Sequence, residues 1–377
     1  MPDDIHIAAL VPYPVFPARM GGQKGIALFY TFLSRIARVT VFGTRDNEIP
    51  ASFNGSFIPI LSESRSRYYN FSLVNKLSSL IREKKITHLI AEHPYYAWLV
   101  LLLKRYTGVK LIVHSHNIES LRFRDTGKWW WGILWHYEKL LHRKADLNFF
   151  ISDEDRELAI KKFDLNPARC ETITYGFDLL HPPSSEERER CRKILEQLYG
   201  ISNDEKILFF NGTLSYGPNL DALRYILDKI NPLLVQNGFR YKILVAGKGL
   251  PPAFNELKEF RQSNIVYAGF VEDISILFKG SGIFLNPVNG GGGIKTKLVE
   301  ALGSGLTCVS TRTGAIGVPQ HITGTKMIIV EDDDYAGFAG AVINANISDT
   351  IPQAFFDHFA WENIVQKALN SINKFAE

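Results

Sequence analysis

Four consecutive glycines, Gly290, Gly291, Gly292 and Gly293, run into Ile294, Lys295, Thr296, Lys297, Leu298, Val299 and Glu300. Glycine lets backbone N–H groups approach a ligand with no side chain in the way. Residues 295–302 read as a helix, and Gly303, Ser304 and Gly305 stop it. A helix start offers unpaired N–H donors and a partial positive charge. Two lysines at the same end add full charge. This combination suits a diphosphate. Fixed donors and ammonium groups stabilise negative charge as it develops on a leaving phosphate, so this chemistry requires no metal. The acidic runs 153–155 and 332–334 open helix-like segments, where the helix dipole alone favours carboxylates. Neither is read as a metal site.

Other positions add to this one. Phe209, Phe210 and Asn211 end a strand in Gly212, and Thr213 leads on to Pro218 and Asn219, which suit a helix start. Residues 268–273 form another strand-end turn, apolar and suited to backbone contacts with a flat base. His116 lies two positions beyond His114, so both side chains share a face if the strand continues. Trp129, Trp130, Trp131 and Trp135 are flanked by Lys128, Lys139, Arg143 and Lys144. That segment fits a helix at a membrane interface and fits packing on a sheet equally well.

The elements that would position these residues alternate. In the first half, 5–10, 39–42, 88–91, 110–114 and 147–151 read as buried strands. Segments 25–38, 71–84, 95–106, 128–144 and 153–163 read as helices. The second half restarts the pattern, with strands at 207–210, 242–246, 265–268, 282–285 and 307–310 and helices at 219–236, 274–278 and 295–302. Alternation of this kind predicts an α/β fold, two doubly wound parallel sheets facing across a cleft. Ligands in such sheets bind beyond the carboxyl ends of the strands, where the glycine run falls. The turn-forming and charged stretch at 179–186 predicts the linker. The expected domains are 1–180, 181–357 and a terminal helical segment, 358–377, packing back toward the first. The first strand leads into Val11, Pro12, Tyr13 and Pro14, not a G-x-G-x-x-G turn, which disfavours a dinucleotide dehydrogenase.

The chain has 377 residues, 46% hydrophobic and 22% charged. That suits about two globular domains of roughly 150 residues each. Cys170, Cys191 and Cys308 are odd in number and widely spaced. They fit neither a disulfide framework nor a zinc site and point to a reducing, cytoplasmic setting. No signal peptide is read at the N-terminus. The apolar stretch 95–103 is far short of the ~20 residues a membrane span needs. Residues 1–180 carry 24 Lys and Arg against 18 Asp and Glu, and the remainder 19 against 21. A basic first half suits peripheral contact with an anionic surface such as a membrane face.

The ordered set of motifs resembles glycosyltransferase family 4, the retaining GT-B enzymes. The segment 291–301 looks like the family's donor site. Also in the family's order come a turn at Gly21 and Gly22 after the first strand, the run 116–119, the run Tyr175, Gly176, Phe177 and Asp178, then Gly212 with 218–221, then 269–271 and 311–317. The resemblance implies that Glu300 holds the donor ribose hydroxyls. The backbone N–H groups of Gly293, Ile294, Lys295 and Thr296 would meet sugar and diphosphate. Gly212, Thr213 and Lys297 join the donor-binding set, and Val271 lies in the base-contacting turn. His116 matches the histidine facing the transferred sugar, and Gly21, Gly22 and Asn117 match the acceptor and phosphate side. His116, Lys295 and Glu300 are the expected catalytic residues. Two positions depart from the pattern. Gly292 stands where many members carry a second glutamate, which leaves the sugar unassigned. The loop 212–221 lacks the usual Arg or Lys, and Lys295 and Lys297 are expected to supply that charge.

The implied activity is sugar transfer from a nucleoside diphosphate sugar to a glycan or lipid-linked acceptor, without a cofactor, a metal or a nucleic acid partner. The alternatives are a catalytically silent nucleotide-sugar-binding protein and an epimerase or phosphorylase of the same fold.

Overall fold

The computed structural model describes residues 5–17, 21–177 and 180–375. Asp178 of the expected run 175–178 and position 179 of the expected linker lie outside the described residues. The chain divides into two compact units, Met1–Asp178 with Phe359–Glu377, and Leu179–His358.

The first unit is built on seven parallel strands: β1 His6–Leu10, β2 Arg38–Thr44, β3 Ser56–Leu61, β4 His88–Glu92, β5 Lys110–Ser115, β6 Leu147–Phe150 and β7 Cys170–Thr172. Their order is β3-β2-β1-β4-β5-β6-β7. The helices are α1 Gly21–Ile36, α2 Ser72–Glu83, α3 Ala97–Thr107, α4 Glu119–Asp125, α5 Trp131–Lys144 and α6 Asp153–Phe163. Helices on both faces explain why the central strands are continuous apolar runs, with every residue of β1 and β4 buried. The expected first helix begins four residues early, so Gly21 and Gly22 are its opening residues and not a turn.

The second unit repeats the plan with six parallel strands: β8 Lys206–Asn211, β9 Tyr241–Ala246, β10 Ile265–Gly269, β11 Ile283–Asn286, β12 Thr307–Thr311 and β13 Met327–Val330. Their order is β10-β9-β8-β11-β12-β13. Its helices are α7 Ser185–Tyr199, α8 Gly217–Tyr225, α9 Asn231–Gln236, α10 Ser275–Gly280, α11 Thr296–Gly303, α12 Tyr335–Asn344 and α13 Gln353–Phe359. A π-turn, Ile226–Ile230, joins α8 to α9, so the expected 219–236 helix is a single run with one widened turn. The wide turn precedes Pro232, which lacks the N–H an ordinary helix would use there. The expected linker, 179–186, runs into α7, which takes up Ser185 and Glu186 and the charged stretch after them. The Ser184 hydroxyl caps it by accepting from the Glu187 N–H at 3.1 Å, and Gly200 ends it at φ +62°.

A further helix, α14 Trp361–Lys374, belongs to the first unit and packs on α1. Trp361 is buried there, its ring 6.2 Å from Phe32 and 5.7 Å from Tyr175. A Cβ on Gly176 would meet the Trp361 ring at 2.2 Å, so glycine is what lets the indole lie against the backbone. The Phe177 N–H donates to the Phe359 carbonyl at 2.7 Å, tying the returning chain to the end of the first sheet.

Strand order reverses at β1/β4 in the first sheet and at β8/β11 in the second. In open α/β sheets such switch points are where carboxyl-end loops part and leave room for a ligand. The segments after β1, β4, β8 and β11 therefore bear on function.

Candidate active site

In the second unit, β11 feeds the glycine run and β8 feeds Gly212. Gly291 and Gly293 have φ of +81° and +67°, a region open to glycine at little strain. The run turns sharply into α11, whose first residue is Thr296. No side chain caps that helix start. The Lys295 ammonium instead folds over the run and donates to the carbonyls of Gly291, Gly292 and Gly293 at 2.7, 3.3 and 3.0 Å. Lys297 turns toward the β8 end. It donates to the Asn211 carbonyl at 3.2 Å and to Asn219 Oδ1 at 2.9 Å, and lies 4.9 Å from the centre of the Phe210 ring. Desolvation, followed by the like charge of Lys295, pulls its amine down to about 7.

Asn219 locks the same corner. Its Nδ2 donates to the Thr213 carbonyl at 3.1 Å, and a Cβ on Gly212 would strike that nitrogen at 2.7 Å. Helix α8 starts two residues before Asn219, with Tyr216 at its cap position, so Asn219 is a brace inside the turn and not the cap its sequence position suggested. The 311–317 loop is held beside the glycine run. Thr311 donates to the Val288 carbonyl at 2.7 Å, Asn286 donates to Gly314 O at 2.9 Å, and a Cβ on Gly317 would meet Ile294 at 2.9 Å. Glu300 is partly exposed one turn into α11, and Val271 is half-buried just beyond β10. Gly269 before it takes φ +70°, and Phe270 is 73% exposed.

In the first unit, the ends of β4 and β5 meet. Glu92 is buried and receives three groups. Tyr30 donates to Oε1, His114 Nδ1 lies 3.0 Å from Oε1, and His116 Nε2 lies 2.5 Å from Oε2. The two imidazoles hold the Glu92 carboxyl well below its ordinary range, although burial alone would raise it. Burial lowers the His116 imidazole, with the neighbouring His114 pushing the same way. A second cluster adjoins. His93 follows β4 at φ +64°, strained backbone for a non-glycine residue. Its Nε2 pairs with the Tyr13 hydroxyl at 2.7 Å, its Nδ1 faces Glu119 at 3.2 Å, and its ring lies 4.9 Å from His116. Glu119 also accepts from Tyr95 and Arg122. Burial would raise that carboxyl, but His93 and Arg122 hold it at about 2. Behind it, Glu138 accepts from the N–H groups of Glu119 and Ser120 at 2.9 and 3.0 Å and so anchors the start of α4. Burial pushes Glu138 up to about 7.

Asn117 stands in the bend before α4, its carbonyl accepting from Ser115 at 2.7 Å. Gly22 opens α1 with open space around its Cβ position. The ligand-type atoms of Glu92, His114 and His116 lie within 4.8 Å of one another, close enough to hold a metal ion. Here both carboxylate oxygens are already engaged by hydrogen bonds, an arrangement that orders protons.

The structure thus gathers Gly212, Thr213, Gly293, Ile294, Lys295, Thr296 and Lys297 at one switch point. It brings His116 together with His93, Glu92 and Glu119 at the other. Sequence reasoning missed Glu92 and His93. A carboxylate and an imidazole at the end of the apolar strand 88–91 were the available signal.

A profile of Glycosyltransferase Family 4 matches residues 30–180, and one of Glycosyl transferases group 1 matches residues 205–346. The chain belongs to glycosyltransferase family 4. A Klebsiella pneumoniae relative, described as an uncharacterized 44.6 kDa protein in the cps region, is 25% identical over 86% of this chain and 80% of its own. The Escherichia coli UDP-Gal:alpha-D-GlcNAc-diphosphoundecaprenol alpha-1,3-galactosyltransferase is 22% identical over 80% of this chain and 74% of its own. Among solved structures, a Rickettsia africae glycosyltransferase superposes with a TM-score of 0.73 at 14% identity, covering 100% of this chain and 99% of that one. Anabaena HepE in complex with UDP superposes with a TM-score of 0.72 at 15% identity, covering 98% and 100%. This glycosyltransferase therefore has the GT-B type of fold, with one Rossmann-like sheet in each unit. No helix among the described residues is long and apolar enough to cross a membrane.

Proposed function

We propose that this glycosyltransferase moves a sugar from a nucleoside diphosphate sugar to a lipid-linked acceptor at a membrane face, retaining the anomeric configuration and needing no metal. The observation that carries the reading is the glycine turn at the carboxyl end of β11, opening α11 with Lys295 and Lys297 beside it. Backbone donors there meet the diphosphate, and Glu300 meets the ribose. Lys295 exchanges its bonds to the glycine carbonyls for phosphate oxygens, supplying the charge that the 212–221 loop lacks. Val271 and exposed Phe270 border the base. In the first unit, Glu92 accepts a hydrogen bond from the His116 Nε2–H, which leaves Nδ1 as the acceptor for a sugar or acceptor hydroxyl. Gly21, Gly22 and Asn117 lie on the acceptor side. HepE's UDP complex supports a uridine donor, and the E. coli relative's diphosphoundecaprenol substrate supports a lipid-linked acceptor.

The test is a thermal-shift screen of nucleoside diphosphates and their sugars, followed by transfer assays with chelator present. Ligand at about 100 times its Kd stabilises by about 2.7 kcal/mol, so a true donor stands out. Turnover that persists in chelator and gives a product of unchanged anomeric configuration by NMR meets the proposal. A shift with no turnover on any acceptor would favour the silent binder. No shift at all would overturn the reading.

A further inference from the structure

The first unit leaves a belt of aromatic and cationic side chains uncovered. Its strands run parallel, so the segments following β3 and β5 both leave the sheet at the carboxyl edge. The first exposes Tyr69 by 77% and Phe71 by 73%, and the second exposes Trp129 by 84%. Trp131 and Ile133, at the start of α5, extend it with 36% and 69% exposure.

Contacts among half-buried rings link the segments. Phe71 packs on Trp98 at 4.9 Å, and Trp98 Nε1 donates to the Tyr68 carbonyl at 3.0 Å. Tyr68 meets Tyr95 at 6.4 Å, and Arg122 donates to the Tyr95 hydroxyl at 3.2 Å. Arg122 also covers the Phe123 ring, which packs on Trp130 at 4.6 Å. The belt passes the cluster of His93 and Glu119, which shares this edge.

Large apolar side chains exposed along one edge mark an interaction site. Indole and phenol rings combine an apolar body with a polar edge, which suits the headgroup zone of a bilayer. Charge favours the same occupant. Arg65, Arg67, Arg124 and Lys128 stand in the same segments against the carboxylates of Glu63 and Asp125. The Arg124 guanidinium lies 5.9 Å from the centre of the Trp131 ring while paired with Asp125, and Glu119 is buried against Arg122 and adds nothing outside. Cations beside a bilayer are drawn to anionic lipid.

We propose that this edge of the first unit docks on a membrane containing anionic lipid. Trp129 and Trp131 enter the headgroup zone, and Arg124 and Lys128 meet lipid phosphates. The proposal rests on the lipid-linked acceptor reading, because a bilayer held here delivers the acceptor's diphosphate to the edge that carries His93 and His116.

Flotation of the full chain with phosphatidylcholine vesicles, alone or with about one-third phosphatidylglycerol, tests it. The chain is expected to float with the anionic vesicles and to be released as salt rises. Trp129→Ser combined with Trp131→Ser should lower the bound fraction at least about fivefold. Arg124→Glu combined with Lys128→Glu should abolish the preference for anionic lipid. Both variants should keep the parent's thermal shift with UDP, which reports on the second unit. Failure to bind vesicles, or unchanged binding by both variants, overturns the docking surface. If the parent fails to bind yet transfers sugar to a short-chain, water-soluble prenyl diphosphate sugar, docking alone is overturned. Vesicle binding without such transfer supports docking and counts against the acceptor reading.

Discussion

A carboxylate as deeply buried as Glu92 is stable only because Tyr30, His114 and His116 satisfy it. Its two oxygens fix how both rings are turned. Glu92→Gln keeps the shape but loses the charge that orders the protons. We expect kcat to fall roughly 100-fold, in the range of a misaligned general acid or base, with the donor KM changed little. An unchanged kcat in steady-state assays would remove Glu92 and His116 from the mechanism. Lys295→Ala should weaken UDP binding roughly 10- to 100-fold by calorimetry, the size of a charge-assisted contact. Arg143→Ala should leave it unchanged, since Arg143 is exposed and bonded to Asp164. Equal effects would sink the assignment of Lys295 to the phosphate. Glu119 gives a pH signature. Its folded value of about 2 lies below the ordinary 4.5, so its contribution is complete above pH 4.5. It is lost as pH falls through 2. The shift corresponds to about 3 kcal/mol. Acid titration followed by circular dichroism should show Glu119→Gln with a shallower loss of stability in that window. His116 and the lysines were legible because they stand in runs with a recognisable order. Glu92 and His93 were not, because a polar residue ending an apolar strand looks the same whether it caps the strand or serves a site.

Elements were legible where both faces are covered. Every central strand shows as an apolar run. The strands missed, β3, β7 and β13, lie at or near sheet edges and are half-exposed or very short. β3 even carries Pro59, which an edge tolerates because that N–H is not needed. α7 was missed for the complementary reason, burying only Cys191 and Leu195. Its cap and terminal glycine were the readable signal. Glycine positions make the sharpest element-scale prediction. A Cβ on Gly247, after β9, would lie 1.9 Å from the Gly212 carbonyl oxygen. Gly247→Ala must therefore move the turn after β8, where Asn211 and Lys297 meet. It should destabilise the second unit by about 1–3 kcal/mol and weaken UDP binding at the same time. Calorimetric unfolding together with a UDP titration reads both effects.

At the scale of the molecule, two sheets of similar plan were legible from the alternation, and the restart near residue 206 marked the second. The first unit is not continuous in sequence: 359–377 belongs with 1–178. Trp361 is the main anchor, and Trp361→Ala should cost about 3–5 kcal/mol. A chain ending at residue 178 leaves the Phe32 face of α1 bare. It should unfold at a lower temperature than the same chain supplied with a peptide of residues 359–377. Equal unfolding temperatures by differential scanning fluorimetry would show that α14 is dispensable.

The return of α14 also orders events during synthesis. The ribosome makes the first unit's sheet early, yet delivers the helix that seals it only after the whole second unit has emerged. Domains generally fold as units as they leave the ribosome, so the second unit can finish while the first still waits with exposed apolar surface. A nascent chain stalled anywhere between residues 179 and 358 carries an unsealed first unit. Such a chain still exposes the Phe32 face of α1, the apolar surface that α14 later covers.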